Sequence, residues 1–320
     1  GVAGGSGGHI DLPRARTGAF AGGVFAIFVP GAAPIRMEEL RQPSYDIPLP
    51  PDVPTGEALK VAVEQAAILI ELDRRGDLTL CRTESEVRAA MAAGRLAAVM
   101  HLEGAEAIGP DLAALDVLYA AGLRSIGPVW SRGTIFGSGV PFRYPSDGDI
   151  GPGLTGEGKR LIARAAKLRM IVDVSHLNMA GFHDVAEAGL PVIATHSNAH
   201  ALCPHSRNLT DEQLRIVGQT GGMAGLNFAT AFLRPDGQMR PDGAFEWMLR
   251  HLDRMIEMAG EDHVGLGSDF DGGTVPEEIS DVAGLGALRE AMRQAGYGDP
   301  LIRKICSGNW LAAMRRVWGA

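Results

Sequence analysis

Glu103, His176 and His196 bring together one carboxylate and two imidazoles, and each follows a short apolar run: AAVMHL, IVDVS and VIAT. Such oxygen and nitrogen donors suit zinc or a similar divalent ion. Taken singly, a histidine after a strand is more often a hydrogen-bonded structural residue than a ligand. Three donors at three strand ends, with Asp269 after a fourth run (VGLGS), favour a site. Asp269 can take a proton from attacking water and pass it to a leaving amine, as amide hydrolysis demands. The competing account has Asp269 and Asp271 of SDFDG capping the turn in which they lie. Arg207, in HSRNLTD, precedes a helix opened by Thr210, where a surface cation meets no favourable dipole. Its planar fork could instead hold a substrate carboxylate, and the residues alone leave both readings open. Asn227, after GMAGL, is a further polar group at a strand end and a candidate to bind substrate. His101, His183, His251 and His263 read as structural, and His200 and His205 as loop residues that could support a site.

Elements that could position these groups are visible as apolar runs. They are Gly23 to Val29, Leu96 to Leu102, Ser125 to Val129, Met170 to Val174, Val192 to Thr195, Gly222 to Phe228 and Val264 to Gly267. Their nearly continuous apolar character suits parallel strands buried on both faces. Between them lie stretches of helical period, at Thr55 to Arg75, Glu84 to Ala93, Asp111 to Ala121, Thr155 to Leu168, Ala180 to Ala188, Thr210 to Gln219, Ala244 to Met258 and Asp299 to Val317. Thr83, Thr155 and Thr210 stand as caps. Such alternation gives either a barrel or an open doubly wound sheet. Polar residues at the carboxyl ends of several different strands select the barrel, because an open sheet concentrates its signal at one Gly-rich turn. The expected fold is therefore a (β/α)8 barrel of the metal-dependent hydrolase type, in one domain over residues 1–320. Pro30 to Pro54, with seven prolines, reads as a long irregular loop.

Composition excludes several function classes. With 46% apolar and 21% charged residues, a large core can form without disulfide staples. A net charge of −8 without a basic stripe argues against nucleic acid as a partner. Cys81, Cys203 and Cys306 are widely spaced and odd in number, which disfavours a disulfide framework or thiolate zinc site and points to a reducing, cytoplasmic setting. No apolar stretch approaches the roughly 20 residues that span a bilayer.

The motifs MHLEG, IVDVSHLN, ATHSNAH followed by SRNLTDEQL, and GLGSDFDG resemble, in order and spacing, the membrane (renal) dipeptidase family of binuclear zinc peptidases. The likeness runs from GHIDLPRARTGAFAGGVFAIFVP to GNWLAAMRRV. It implies two zinc ions bridged by Glu103, with His176 and His196 completing the shell of one. It also implies Arg207 on the substrate carboxylate and Asp269 as catalytic acid or base beside Glu103. The substrates would be dipeptides with a free C-terminal carboxylate, and a homodimer is an expectation of the family. Trp130 stands where the family has a histidine that helps hold the scissile carbonyl; an indole N–H donates but does not titrate, so the expectation here is either a different substrate pocket or an apolar wall at the mouth. The family's other ion takes an H-x-D motif at the end of strand one. Here the only early H-x-D is His9 and Asp11, and GVAGGSGG before it cannot form an apolar strand. The expectation is a barrel missing strand 1, with its H-x-D upstream of Gly1 and with His9 and Asp11 at the periphery, about 10 Å or more from Glu103. Rival readings are a related barrel amidohydrolase acting on N-acyl amino acids or lactams, and a metal-binding fragment without catalysis.

Overall fold

The structure, a computed structural model, describes residues 7–31 and 38–319. Residues 1–6 and 32–37, on which parts of the strand-one and loop expectations fall, lie outside the described residues. Ten strands form in it: β1 (Gly22–Phe28), β2 (Tyr45–Ile47), β3 (Thr79–Leu80), β4 (Ala97–Glu103), β5 (Leu123–Ile126), β6 (Phe142–Tyr144), β7 (Ile171–Val172), β8 (Ile193–Ala194), β9 (Met223–Leu226) and β10 (Val264–Leu266). β1, β4, β5 and β7 pair in that order, all parallel, and β8, β9 and β10 make a second parallel set. A parallel bridge between Asp173 and Ile193, with the Val174 N–H donating to the Ile193 carbonyl at 2.8 Å, stitches β7 to β8. The seven apolar runs thus become seven strands of one continuous array. Among the described residues no strand lies between β10 and β1, so the array is open along that seam.

Helices return the chain between strands, as parallel pairing requires. Thr83 and Thr210 open theirs with reciprocal capping boxes, and the Thr155 hydroxyl accepts from the Gly158 N–H. Along β4 the period of two turns Ala98, Met100 and Leu102 toward the helices, where they join the main core, and Ala97 and Val99 inward. Leu311, Met314 and Trp318 of the last helix plug the base of that interior.

Three features depart from the sequence reading. Leu12–Thr17 and Leu285–Gln294 are helices that it missed. The C-terminal helix is broken by a π-helical turn at Lys304–Gly308, which resets its phase so that Asn309 and Trp310 face β10. Within the proline-rich segment, β2 pairs antiparallel with β6 and covers the mouth with Tyr45, Phe142 and Phe232 in a small apolar cluster. All three cysteines are free. Among the described residues no helix is long and apolar enough to cross a membrane.

Candidate metal centre

Glu103 ends β4 facing inward, and His176 and His196 follow β7 and β8. Their ligand atoms lie within 4.8 Å of one another. The Glu103 Oε1 is 3.0 Å from His176 Nε2 and 3.3 Å from His196 Nε2, and the two Nε2 atoms are 3.0 Å apart. Glycines make this crowding possible. A Cβ on Gly225 or Gly267 would fall 2.0 or 1.9 Å from the Thr195 carbonyl oxygen, so glycine at both positions lets β8, β9 and β10 close up beside His196.

Charge in the cluster is shared unevenly. Burial would raise Glu103, but the hydrogen bonds and charge of His176 and His196 outweigh it and hold the carboxyl well below the usual range. Burial, then the Arg207 guanidinium, push His176 down to about 3. For His196 burial acts the same way, yet Glu103 and Asp269 overcome it and raise the ring above its ordinary value. A carboxylate and two imidazoles aimed at one point form a donor set that fits a zinc-like ion.

Asp269 follows β10 in the left-handed region, φ 56°. Burial and the nearby Glu103 raise its carboxyl against the opposing His196, Asn227 and Arg207. Asn227 was read as a substrate-facing residue. The structure buries it completely, with Nδ2 donating to Asp269 Oδ2 at 2.9 Å and Oδ1 accepting from the Ala229 N–H at 2.7 Å. Its side chain here orients Asp269.

Arg207 is no surface residue: it is 2% exposed. Its Nη2 donates to the His196 carbonyl at 3.3 Å and lies 3.4 Å from His176 Nε2, and its Nη1 lies 3.4 Å from Ser197 Oγ. Its Nε has no partner, and among the described residues no carboxylate pairs with it. Burial lowers it to about 10, so it remains a cation at neutral pH. Buried charge that the nearby Asp269, Glu103 and Asp173 offset only from beyond hydrogen-bond contact is costly, and an anionic ligand would reduce that cost.

A cavity of about 1170 Å³ reaches all of Glu103, His176, His196 and Asp269. Trp130 walls it, its ring 4.9 Å from Phe28, 5.8 Å from Phe142 and 5.6 Å from His176. His9 packs against Phe270 and Asp271, which line the cavity. Its N–H donates to Asp271 Oδ1 at 2.5 Å, the Asp271 N–H donates to His9 Nδ1 at 2.9 Å, and its ring lies 5.6 Å from Phe270. Asp11 caps helix Leu12–Thr17 and pairs with Arg14 at 3.0 Å. Neither joins the three-ligand cluster.

Sequence reasoning missed the groups behind the cluster. Asp173 takes donors from Ser175 and Thr195, Ser131 Oγ lies 2.9 Å from His176 Nδ1, and a buried Arg132–Glu106 pair at 2.7 Å ties the loops after β4 and β5 to the end of β1. A charge inside the apolar run MIVDV was the available signal for Asp173.

Comparison with known proteins follows the same lines. The family described as Membrane dipeptidase (Peptidase family M19) matches residues 3–319. A metallo peptidase from Rhodobacter sphaeroides, solved with a phosphinate mimic of the dipeptide L-Ala-D-Ala, is 51% identical, covers 98% of this chain and 92% of its own, and superposes with a TM-score of 0.96. The dipeptidase AC, a metallo peptidase, is 52% identical over 98% of this chain and 90% of its own, with a TM-score of 0.95. An uncharacterized protein in the pqqA 5′ region of Klebsiella pneumoniae is 45% identical over 266 residues, which are 82% of this chain and 98% of that relative.

Proposed function

Because the chain belongs to the membrane dipeptidase family of metallopeptidases, a family of barrel type, we propose that it hydrolyses dipeptides with a free C-terminal carboxylate, L-Ala-D-Ala among them. One observation carries the reading: a three-donor cluster and a carboxyl of raised pKa line one cavity, and a buried arginine with no carboxylate among the described residues in hydrogen-bond reach lies 3.4 Å from His176 Nε2. Glu103, His176 and His196 would hold zinc, which supplies Lewis acidity and a lowered water pKa when bound. Asp269, oriented by Asn227, moves the proton from water to the leaving amine. Arg207 takes the carboxylate in its fork, which selects short peptides. Trp130, Phe142 and Phe232 form apolar walls that keep water from the substrate.

The family match opens at residue 3 and so takes in His9 and Asp11. That span makes His9 and Asp11, with His9 lying beside Asp271, the candidate source of ligands for a second ion.

The test is hydrolysis of L-Ala-L-Ala and L-Ala-D-Ala with metal analysis. His176→Ala with His196→Ala should remove both metal and turnover. Arg207→Ala should raise KM by about 10- to 100-fold, the range for losing a charge-assisted bond. Hydrolysis indifferent to chelators, or equal metal in the double variant, would sink the reading.

A further inference from the structure

Proton counting behind His196 assigns a role to residues that the chemistry above does not use. Asp173 Oδ1 accepts three donors: the Ser175 N–H at 3.0 Å, the Ser175 hydroxyl at 2.6 Å and the Thr195 N–H at 2.9 Å. Its Oδ2 accepts the Thr195 hydroxyl at 2.6 Å. A hydroxyl has one hydrogen, and Thr195 has given its own to Asp173. Toward His196 Nδ1, 2.7 Å away, Thr195 can therefore only accept. His196 must keep its hydrogen on Nδ1, which leaves Nε2 as the nitrogen facing Glu103 and His176.

We propose that Asp173 and Thr195 are positioning residues that lock His196 in the Nδ1–H form, so that its Nε2 lone pair is free to ligate. The proposal rests on the metal-site reading above. It follows a general pattern in which a ligating histidine gives its second N–H to an oriented acceptor; here the acceptor is a hydroxyl whose direction a buried carboxylate sets. The carboxylate cannot be replaced by its amide. With three donors meeting at Oδ1, an amide at position 173 must place its oxygen there and turn its NH2 toward Thr195. That turns the hydroxyl away from position 173, toward His196 Nδ1 at 2.7 Å or Ser175 Oγ at 3.2 Å; the nearer acceptor is His196, and donation to it drives the ring hydrogen onto Nε2.

Two measurements test this. Nitrogen NMR of the histidine rings in metal-free protein, at a pH where His196 is neutral, should show the Nδ1–H form in the wild type and in Thr195→Ser. Zinc affinity from chelator competition on folded protein should fall about 10- to 100-fold in Asp173→Asn and Thr195→Val, and stay close to wild type in Thr195→Ser. A merely structural role would not be rescued by the retained hydroxyl. An Nε2–H ring in the wild type, or unchanged zinc affinity in folded Asp173→Asn, overturns the proposal. If Asp173→Asn does not fold, the wild-type spectrum decides. If the wild type binds no zinc, the metal-site reading fails, while the spectrum still judges the lock.

Discussion

The strands that carry the three candidate ligands and the strand that carries Asp269 are held in different ways. β4, β7 and β8 each have a strand or a strand bridge on both sides, so Glu103, His176 and His196 are placed by continuous backbone pairing. β10 has β9 on one side only, and its other edge faces the open seam. There single side chains stand in for a ladder. Asn309 Nδ2 donates to the Val264 carbonyl at 2.8 Å and Trp310 Nε1 to the Leu266 carbonyl at 2.9 Å. Across the seam, Gln65 bonds both backbone groups of Phe28 at 2.7 and 2.9 Å. On the proposed reading, metal binding would fall to the paired half of the fold, while proton transfer would hang on point contacts, Asn227 included.

The largest effect should come from Asp269. Asp269→Asn should depress kcat by about 10² to 10⁴ while leaving KM and zinc content near wild type, because the ligands belong to the other half. Steady-state kinetics with metal analysis on the same sample check this. Loss of zinc alongside loss of turnover would make Asp269 a ligand and erase the division.

Much of the paired half was legible in the sequence, and little of the seam was. Apolar runs fix strands wherever both faces are buried, and Glu103, His176 and His196 each end such a run, so type and place could be read together. Asp173 was passed over because one charge in an apolar run does not announce its donors, which come from positions 175 and 195. Arg207 looked like a loop residue because burial there is set by β8, β9 and the Phe232 segment, not by its neighbours in sequence. The C-terminal segment has helical period throughout, so the break at Lys304–Gly308 was invisible; it exists to present Asn309 and Trp310 to β10. The β2–β6 ribbon joins residues about a hundred apart, and local pattern cannot show such pairing.

Acid should act next, on the segments that follow β8 and β9. His251, fully buried on the helix Phe245–Ala259, which packs against β9 and β10, accepts the Ala199 N–H on Nδ1 at 3.1 Å and donates from Nε2 to the Leu233 carbonyl at 2.9 Å. Burial, against the Leu233 bond, pushes it down to about 4. The unfolded ring, near its ordinary 6.5, binds its proton first, so this group's stabilisation is complete above that value and is lost as pH falls toward 4. The loss amounts to about 3 kcal/mol at the acid end. His251→Gln can keep both hydrogen bonds without titrating. Unfolding free energy against pH should therefore fall less steeply in the variant; parallel curves would remove His251 from the account.

The smallest effect is expected at the seam, where one side chain can be deleted without touching the ligands. Asn309 is buried and also donates to the Glu261 carbonyl at 2.7 Å, so Asn309→Ala strands two carbonyls and should cost about 1 to 3 kcal/mol. Because β10 has no second strand to share the strain, the loss should appear as faster amide exchange at Val264–Leu266. Exchange in β4 and β8 should change only by the global loss, and zinc affinity should hold. Turnover should drop, since the backbone leading to Asp269 loosens while Asn227 alone keeps its carboxyl in place. A variant that lost zinc as readily as it lost order in β10 would show that the seam also supports the ligand strands, and the two halves would have to be treated as one cooperative unit.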